Sequence, residues 1–325
     1  MAGLRGNVAW LLAQAQTAKG ALPTLSTTKA YKMPFSGGSI GPTRTTDHLS
    51  ETDSSRDQGV AYVQQTGVEG SPEFYVRDAS IGFWLWLVLG ADAVTGTTDF
   101  THTLTPANAL PYVTLWRDIG DTLYEQFLDC KIGSLSISAE AGSPLTATAG
   151  VQGLQPSRLT AAPDQATPVT IQSGQVYNFN DATVTLGGSA TALVRSMELS
   201  IENNLTVQQT DDSVPYDVVE GIREVSLGFD LIFETLAEYN KFHYGGAAGT
   251  AVSPTIFTTS ADFTFSVGVN NSVGFTLPSI AYEEFPVEPD AGGDPVVASV
   301  RAVAQRSGSP VLTATVKNQV ATYSA

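Results

Sequence analysis

Few residues of this chain have the types and spacing that chemistry requires. Gly37-Gly38-Ser39-Ile40-Gly41 fits the G-x-S-x-G turn that presents a nucleophilic serine between a strand and a helix. Pro42-Thr43-Arg44-Thr45-Thr46 follows, which reads as extended chain, so a simple turn is expected. The chain has three histidines. His102, in Phe100-Thr-His-Thr-Leu104, could act as a general base, but the alternation around it marks a strand and a packing role. His243 is expected at the end of a helix, where a cation suits the dipole, and His48 in a polar loop. No two histidines have a chelating spacing. Glu283-Glu284 and the loop from Glu288 to Asp294 gather carboxylates, but without the spacing of a calcium loop, and read as surface turns. The single cysteine, Cys130, excludes an intrachain disulfide or a cysteine-cluster metal site. It reads as a small buried residue just before a strand. Trp84 and Trp86 could stack on a sugar, yet their apolar neighbours favour burial. There is no phosphate-binding glycine loop, dinucleotide fingerprint or basic stripe. No catalytic, metal-binding or cofactor-binding residue is assigned, and an enzyme is not expected.

The elements that position these residues are short and extended. The chain has 325 residues, 42% of them hydrophobic, enough for a large core. Its 30 glycines and 17 prolines suit many strands and turns. Only 15% of residues are charged, and 32 acids against 16 bases leave a net charge of −16. Such a chain is poorly suited to gripping phosphates or anionic lipid. A surface so poor in charge is compatible with one partly covered by copies of itself. The N-terminal apolar stretch is too weak for a secretory signal, and Ile81–Leu89 is too short to span a bilayer, so a soluble, unexported chain is expected.

Strict alternation in Leu135-Ser-Ile-Ser-Ala139, Leu145-Thr-Ala-Thr-Ala149, Met197-Glu-Leu-Ser-Ile201 and Leu312-Thr-Ala-Thr-Val316 predicts half-buried antiparallel strands. A helix is expected over residues 7–19, with Val8, Leu11, Leu12 and Ala15 on one face, and further helical stretches over Ala79–Leu89 and Thr235–Phe242. Two halves resemble each other. Gly37-Gly38-Ser39 matches Gly187-Gly188-Ser189, Tyr62 matches Tyr216, and Phe74 with its helix and Gly90 matches Phe229 with its helix and Gly245. Asp99-Phe100-Thr101 matches Asp262-Phe263-Thr264, which sets His102 opposite Phe265, and Ser143–Thr148 matches Ser309–Thr315. The organisation expected is an N-terminal arm with a short helix (1–30), a first domain (31–155), a Pro- and Gln-rich linker (156–180) and a second domain (181–325). Each half carries a polar hairpin segment, Glu51–Gln65 and Asn204–Glu220. Asp53, Asp57, Asp211, Asp212, Asp217 and Glu220 on these segments are the candidate assembly or lumen contacts.

Read in order, several segments resemble the major tail tube proteins of long-tailed, siphovirus-like phages and related archaeal viruses. They are Ala13-Gln-Ala-Gln-Thr-Ala-Lys-Gly-Ala21, the Glu51–Gln65 segment with the strand and helix ending at Leu89-Gly90, and Phe100-Thr-His-Thr-Leu104 with Leu110-Pro-Tyr-Val-Thr-Leu115. Cys130-Lys-Ile-Gly-Ser-Leu-Ser-Ile-Ser138 and the ending Leu312–Tyr323 complete the likeness. The resemblance implies a mainly β fold, two tandem antiparallel sandwich- or barrel-like domains, each with one short flanking helix. It implies a structural virion protein, made in the host cytoplasm, that self-assembles into stacked hollow rings. Its partners would be itself, as a pseudo-six-fold trimer or a hexamer, a tape-measure protein and tail-terminator or tail-tip proteins. Viral DNA would pass through the lumen without sequence-specific binding and without a membrane partner. The alternatives are a head-decoration or tail-completion protein, or a carbohydrate-binding β-sandwich with Trp84, Trp86 or Trp116 on an open face.

Overall fold

The computed structural model describes residues 8–52, 56–191, 193–287 and 295–324. The elements of the first half are β1 (Ala9–Ala15), β2 (Ala30–Met33), β3 (Ile40–His48), β4 (Ala61–Gly70), β5 (Glu73–Tyr75), α1 (Ile81–Leu89), β6 (Gly90–Thr95), β7 (Phe100–Pro106), β8 (Val113–Ile119), β9 (Leu123–Glu140), β10 (Thr146–Gly153) and β11 (Gln155–Leu159). A 3-10 turn at Phe179–Asp181 leads into the second half. Its elements are β12 (Ala182–Leu186), β13 (Ser189–Thr191), β14 (Val194–Glu202), β15 (Thr206–Gln208), β16 (Asp217–Val219), β17 (Glu224–Ile232), α2 (Ala237–Tyr244), β18 (Thr258–Val267), β19 (Asn271–Glu284), β20 (Val297–Ala304) and β21 (Thr313–Asn318). The fold is mainly β and antiparallel, with one helix in each half.

Strand pairing repeats. The first half runs β2-β1-β8-β9-β10-β4-β3, with β5 extending β4 along β10. The second runs β13-β12-β18-β19-β20-β17-β14. Each helix follows the strand pair β4/β5 or β17 and ends on a left-handed glycine, Gly90 (φ 97°) or Gly245 (φ 71°). The residues that carry this repeat are only partly those matched in sequence. Phe74 and Phe229 are equivalent, since they oppose Ala147 on β10 and Val300 on β20. Phe100 lies on β7 and Phe263 on β18, whose counterpart is β8, so His102 and Phe265 are not equivalent. The Ser143–Thr148 segment leads into β10, whose counterpart is β20 rather than β21. Gly37-Gly38 precedes β3, whereas Gly187-Gly188 turns between β12 and β13. Short Ser, Thr and Gly strings encode strands and turns in general, and so align without marking the same strand.

One sequence expectation is corrected. Residues 9–15 form a strand, not a helix: β1 is hydrogen-bonded between β2 and β8. Leu11, Ala13 and Ala15 face the main core, while Trp10 and Leu12 join a second cluster with Ala30, Trp116 and Val169. A strand covered on both faces loses the apolar-polar alternation that identifies it, and the residual pattern mimics a helical stripe. The Pro- and Gln-rich segment 156–180 packs along the first half. It starts as β11 against β9, and Lys32 pairs with Asp164 at 2.7 Å. Tyr177 is fully buried, its amide bonded to the Val76 carbonyl.

The halves are joined into one sheet system, and the main core runs through both. β9 changes sheets at Asp129, a non-glycine residue at φ 56°. Its carboxylate accepts from the Gln16 amide group at 2.8 Å and the Gly20 backbone at 2.6 Å, while its own N–H reaches Gln16. Beyond the bend β9 pairs with β14 of the second half, from Ser134↔Glu202 to Glu140↔Ser196. β21 returns to pair with β7. All nine residues of α1 are buried, as an all-round apolar helix requires. The C-terminal segment covers it. Tyr323 packs on Tyr31 and His102, and its hydroxyl accepts from Asn318 at 2.7 Å.

Candidate functional site

The most extensive feature outside the core is one face of the sheet that runs β5-β10-β9-β14-β17-β20. Alternation sends Phe74, Ala147, Ile137, Leu199, Leu227 and Val300 inward. The residues between them point the other way and line up across strands. One row is Tyr75–Thr146–Ser138–Glu198–Gly228–Arg301 and continues to Glu284. A second is Glu73–Thr148–Ser136–Ser200–Ser226. Flanking rows are Ser134–Glu202–Glu224 and Glu140–Ser196–Asp230–Ser299. In these rows Glu73, Glu140, Glu198, Glu202, Glu224, Asp230 and Glu284 are set against a single base, Arg301. Serine and threonine fill most other places. Ser196 and Ser299 donate to the two oxygens of Asp230 at 2.8 and 2.7 Å, and Ser136 donates to Glu198 at 3.3 Å. Partial burial, together with the neighbouring Glu224, holds the Glu202 carboxyl above its ordinary range against the Ser200 hydroxyl. The face crosses the junction between the halves without a break. It is hydroxyl-rich and acidic, and two open hollows indent it, one among Tyr75, Ser138, Glu198, Asp230 and Arg301 and one among Ser134, Gly150 and Glu202.

The two long hairpins occupy equivalent places in the repeat and differ in conformation. The first is the β3–β4 ladder, which runs from Ile40↔Gly70 to His48↔Ala61 and carries exposed Leu49, Val60 and Tyr62 near its tip. The second is the β15–β16 arm, which folds back onto the first half. Tyr112 donates to Asp217 at 2.6 Å, and Lys19 reaches both Asp217 and the Tyr216 carbonyl. Lys131, itself buried, donates to the Val218 carbonyl at 2.7 Å and to Glu220 at 2.8 Å, and Glu220 also accepts from the Leu110 amide at 2.9 Å. Burial alone would raise Asp217 and Glu220; the Tyr112 hydroxyl with the Val218 amide, and Lys131 with the Leu110 amide, reverse this and hold both below the usual carboxylate range. Thr66 on the first hairpin donates from its amide to the Ser213 carbonyl at 3.0 Å, so the hairpins meet.

Of the sequence candidates, Asp217 and Glu220 are therefore brought together, and their bonds are spent inside the chain. Asp211 and Asp212 are exposed at the arm tip, and Asp57 is exposed at the first hairpin. Asp53 lies outside the described residues, as does the acidic loop 288–294. The polar sheet face was not singled out, although its residues are the polar members of the alternating strings that reveal the strands.

The remaining chemical candidates are absorbed by structure. His102 is fully buried, with Nδ1 2.8 Å from Asp92 and Nε2 2.7 Å from the Val320 carbonyl. Ser39 leads into a strand, and His48 bonds the Gly59 carbonyl in the first hairpin. Cys130 is fully buried within β9, not ahead of it, and burial pushes its thiol up. His243 is in the last turn of α2, as expected. Trp84, Trp86 and Trp116 are all buried, which removes the open aromatic face of a sugar-binding module. No cluster of three or more metal-ligating side chains occurs among the described residues. Among the described residues no helix is long and apolar enough to cross a membrane.

The described residues thus form a duplicated antiparallel sheet with one polar, acidic face and two long hairpins. The model of the family described as phage tail tube protein matches residues 6–315, and the chain belongs to that family. It is a structural component of a phage tail tube, a part of the virion tail. No curated protein matches the chain.

Proposed function

We propose that the chain self-assembles into rings that stack into the hollow tail tube of a long-tailed, siphovirus-like phage. Three chains supply six similar halves in each ring. A six-chain ring is the alternative if only one half builds the wall. The observation that carries this reading is the uninterrupted acidic and hydroxyl-rich sheet face shared by both halves. Turned inward, it lines a lumen in which phosphates are repelled, so DNA slides without adhering during genome ejection. Before DNA, a tape-measure protein occupies that lumen, and tail-terminator and tail-tip proteins close its ends. The exposed tips around Asp57, Asp211 and Asp212 contact the next ring. The two halves act as tandem tube domains, with chain made in the host cytoplasm. Catalysis has no part in this reading.

Negative-stain electron microscopy of the purified chain over a range of concentrations tests it. Hollow rings or tubes with a regular axial repeat are expected, with three-fold class averages. Compact monomers at every concentration would refute self-assembly.

A further inference from the structure

The junction between the two halves is a template for a contact that the chain leaves unmade. At that junction β14 lies on the edge of β9, with Ser200 opposite Ser136 and Glu198 opposite Ser138. The repeat allows both strands to be located in the other half. Glu198 opposes Gly228 on β17, and Gly37 bridges Glu73 of β5 in the same way. With Phe74 equivalent to Phe229, residues 35–41 thus correspond to residues 196–202 of β14. Likewise Ser136 opposes Thr148 on β10, and Glu284 opposes Arg301 on β20. Residues 284–287 therefore correspond to the part of β9 that receives β14.

Both counterparts are open edges. Residues 36–41 bond β4 and β5 through one edge only, by Ser36 to Glu73, Glu73 to Gly37 and Ser71 to Ser39. Among the described residues no strand lies on the other edge. The β18 ladder on β19 stops at Thr258↔Ala281, and the same edge beyond it, through Val287, carries no strand among the described residues. One chain thus ends in two unpaired edges of different sequence, at opposite ends of one sheet. Edges of this kind complement each other between copies, not within one, and a head-to-tail contact closes into a ring when its rotation divides a full turn.

Resting on the ring reading above, we infer that residues 35–41 of one copy add to residues 282–287 of the next in the register of the internal junction. Ser39 then opposes Glu284 of the neighbour, and Ile40 opposes Tyr282. The small Ser36-Gly-Gly-Ser39 string leaves room for the exposed Glu283 and Glu284. The seam is shorter than the internal one, because Pro286 lacks an N–H donor and because the second internal ladder, β7 on β21, has no strand at its counterpart, residues 245–257. The ring therefore alternates strong seams within chains and weaker seams between them.

A double variant, Ser39→Cys with Glu284→Cys, is treated with a short bis-maleimide after assembly. The expected product is a denaturant-resistant ladder of two and three chains that neither single variant yields. Ser136→Cys with Ser200→Cys is the internal control and should link within one chain. Cys130, fully buried, stays unmodified. On unmodified protein, hydrogen exchange should show amides of residues 36–41 and of Glu284 and Phe285 becoming protected at least tenfold on assembly. Rings that form without this protection, or that leave the double variant monomeric while the control links, would overturn the proposed seam and leave the ring reading intact. Absence of rings from the unmodified chain would overturn both.

Discussion

Gly82 shows how a single residue couples the ends of the chain. It sits in the first turn of α1, where alanine would ordinarily favour the helix by roughly 1 kcal/mol. A Cβ there would lie 1.9 Å from the Tyr323 hydroxyl. Tyr323 is nearly fully buried against Tyr31 and His102, so it has little space to retreat. Gly82→Ala is expected to destabilise by about 1–3 kcal/mol, the usual range for overpacking, and to free the C-terminal segment. Denaturant unfolding with carboxypeptidase digestion measures both; an unchanged midpoint and an uncut tail would show that the ring moves aside. His102 belongs to the same latch. Its Nε2 faces a carbonyl and so carries a proton, and its Nδ1 faces Asp92. His102→Phe keeps an aromatic ring but strands Asp92 and the Val320 carbonyl, and should lower the unfolding midpoint in a denaturant melt.

At the scale of elements, the β15–β16 arm is held by charge as well as by the burial of Val218, so part of its attachment depends on pH. Asp217 and Glu220 lie below their ordinary values in the folded chain. A depressed carboxylate stabilises above its unfolded value, near 4, and that contribution disappears as pH falls through the lower folded value. The arm should therefore detach below about pH 4, before the core unfolds, and be cut by pepsin between Gln208 and Asp217. Lys131→Met, which removes the buried cation shared by Val218 and Glu220, should bring detachment to higher pH. Identical cleavage profiles for the two proteins would count against the clamp. Deleting residues 209–215 tests the other end of the arm. Folded subunits that still form rings but no longer stack are expected by electron microscopy. Normal tubes would remove the tip as an axial contact.

For the whole molecule, on the lumen reading proposed above, the polar sheet face and the net charge of −16 address the same physical problem. A conduit for a polyanion must be wet and must not bind. Glu198→Lys with Glu202→Lys converts part of two rows to cations without touching the buried face. Tubes of normal length are expected, with DNA passage impaired more than assembly, read as infectivity per assembled particle. Added lysines that leave passage unchanged would move the acidic face away from the lumen.

The β class was legible in the alternating strings because each such strand has one face in the core and one in water. Ile81–Leu89 was legible as a non-alternating apolar run, and both helices ended at their glycines. The existence of two halves was also readable, through Phe74 and Phe229 and the helices that follow them. β1 was not legible, because a strand buried on both faces has no polar member to set its period. Strand equivalence was not legible either, since Ser-Pro-Leu-Thr-Ala-Thr strings satisfy any half-buried strand. Asp217 and Glu220 could be recognised as polar hairpin residues, but only folding brings Tyr112, Lys131 and Lys19 to them across about a hundred residues or more. The composition alone determined an acidic chain, rich in turn residues, whose single cysteine excludes an intrachain disulfide. Which polar residues share a face, and which edges remain open, depend on register between strands far apart in the chain, and the tertiary structure alone decides that.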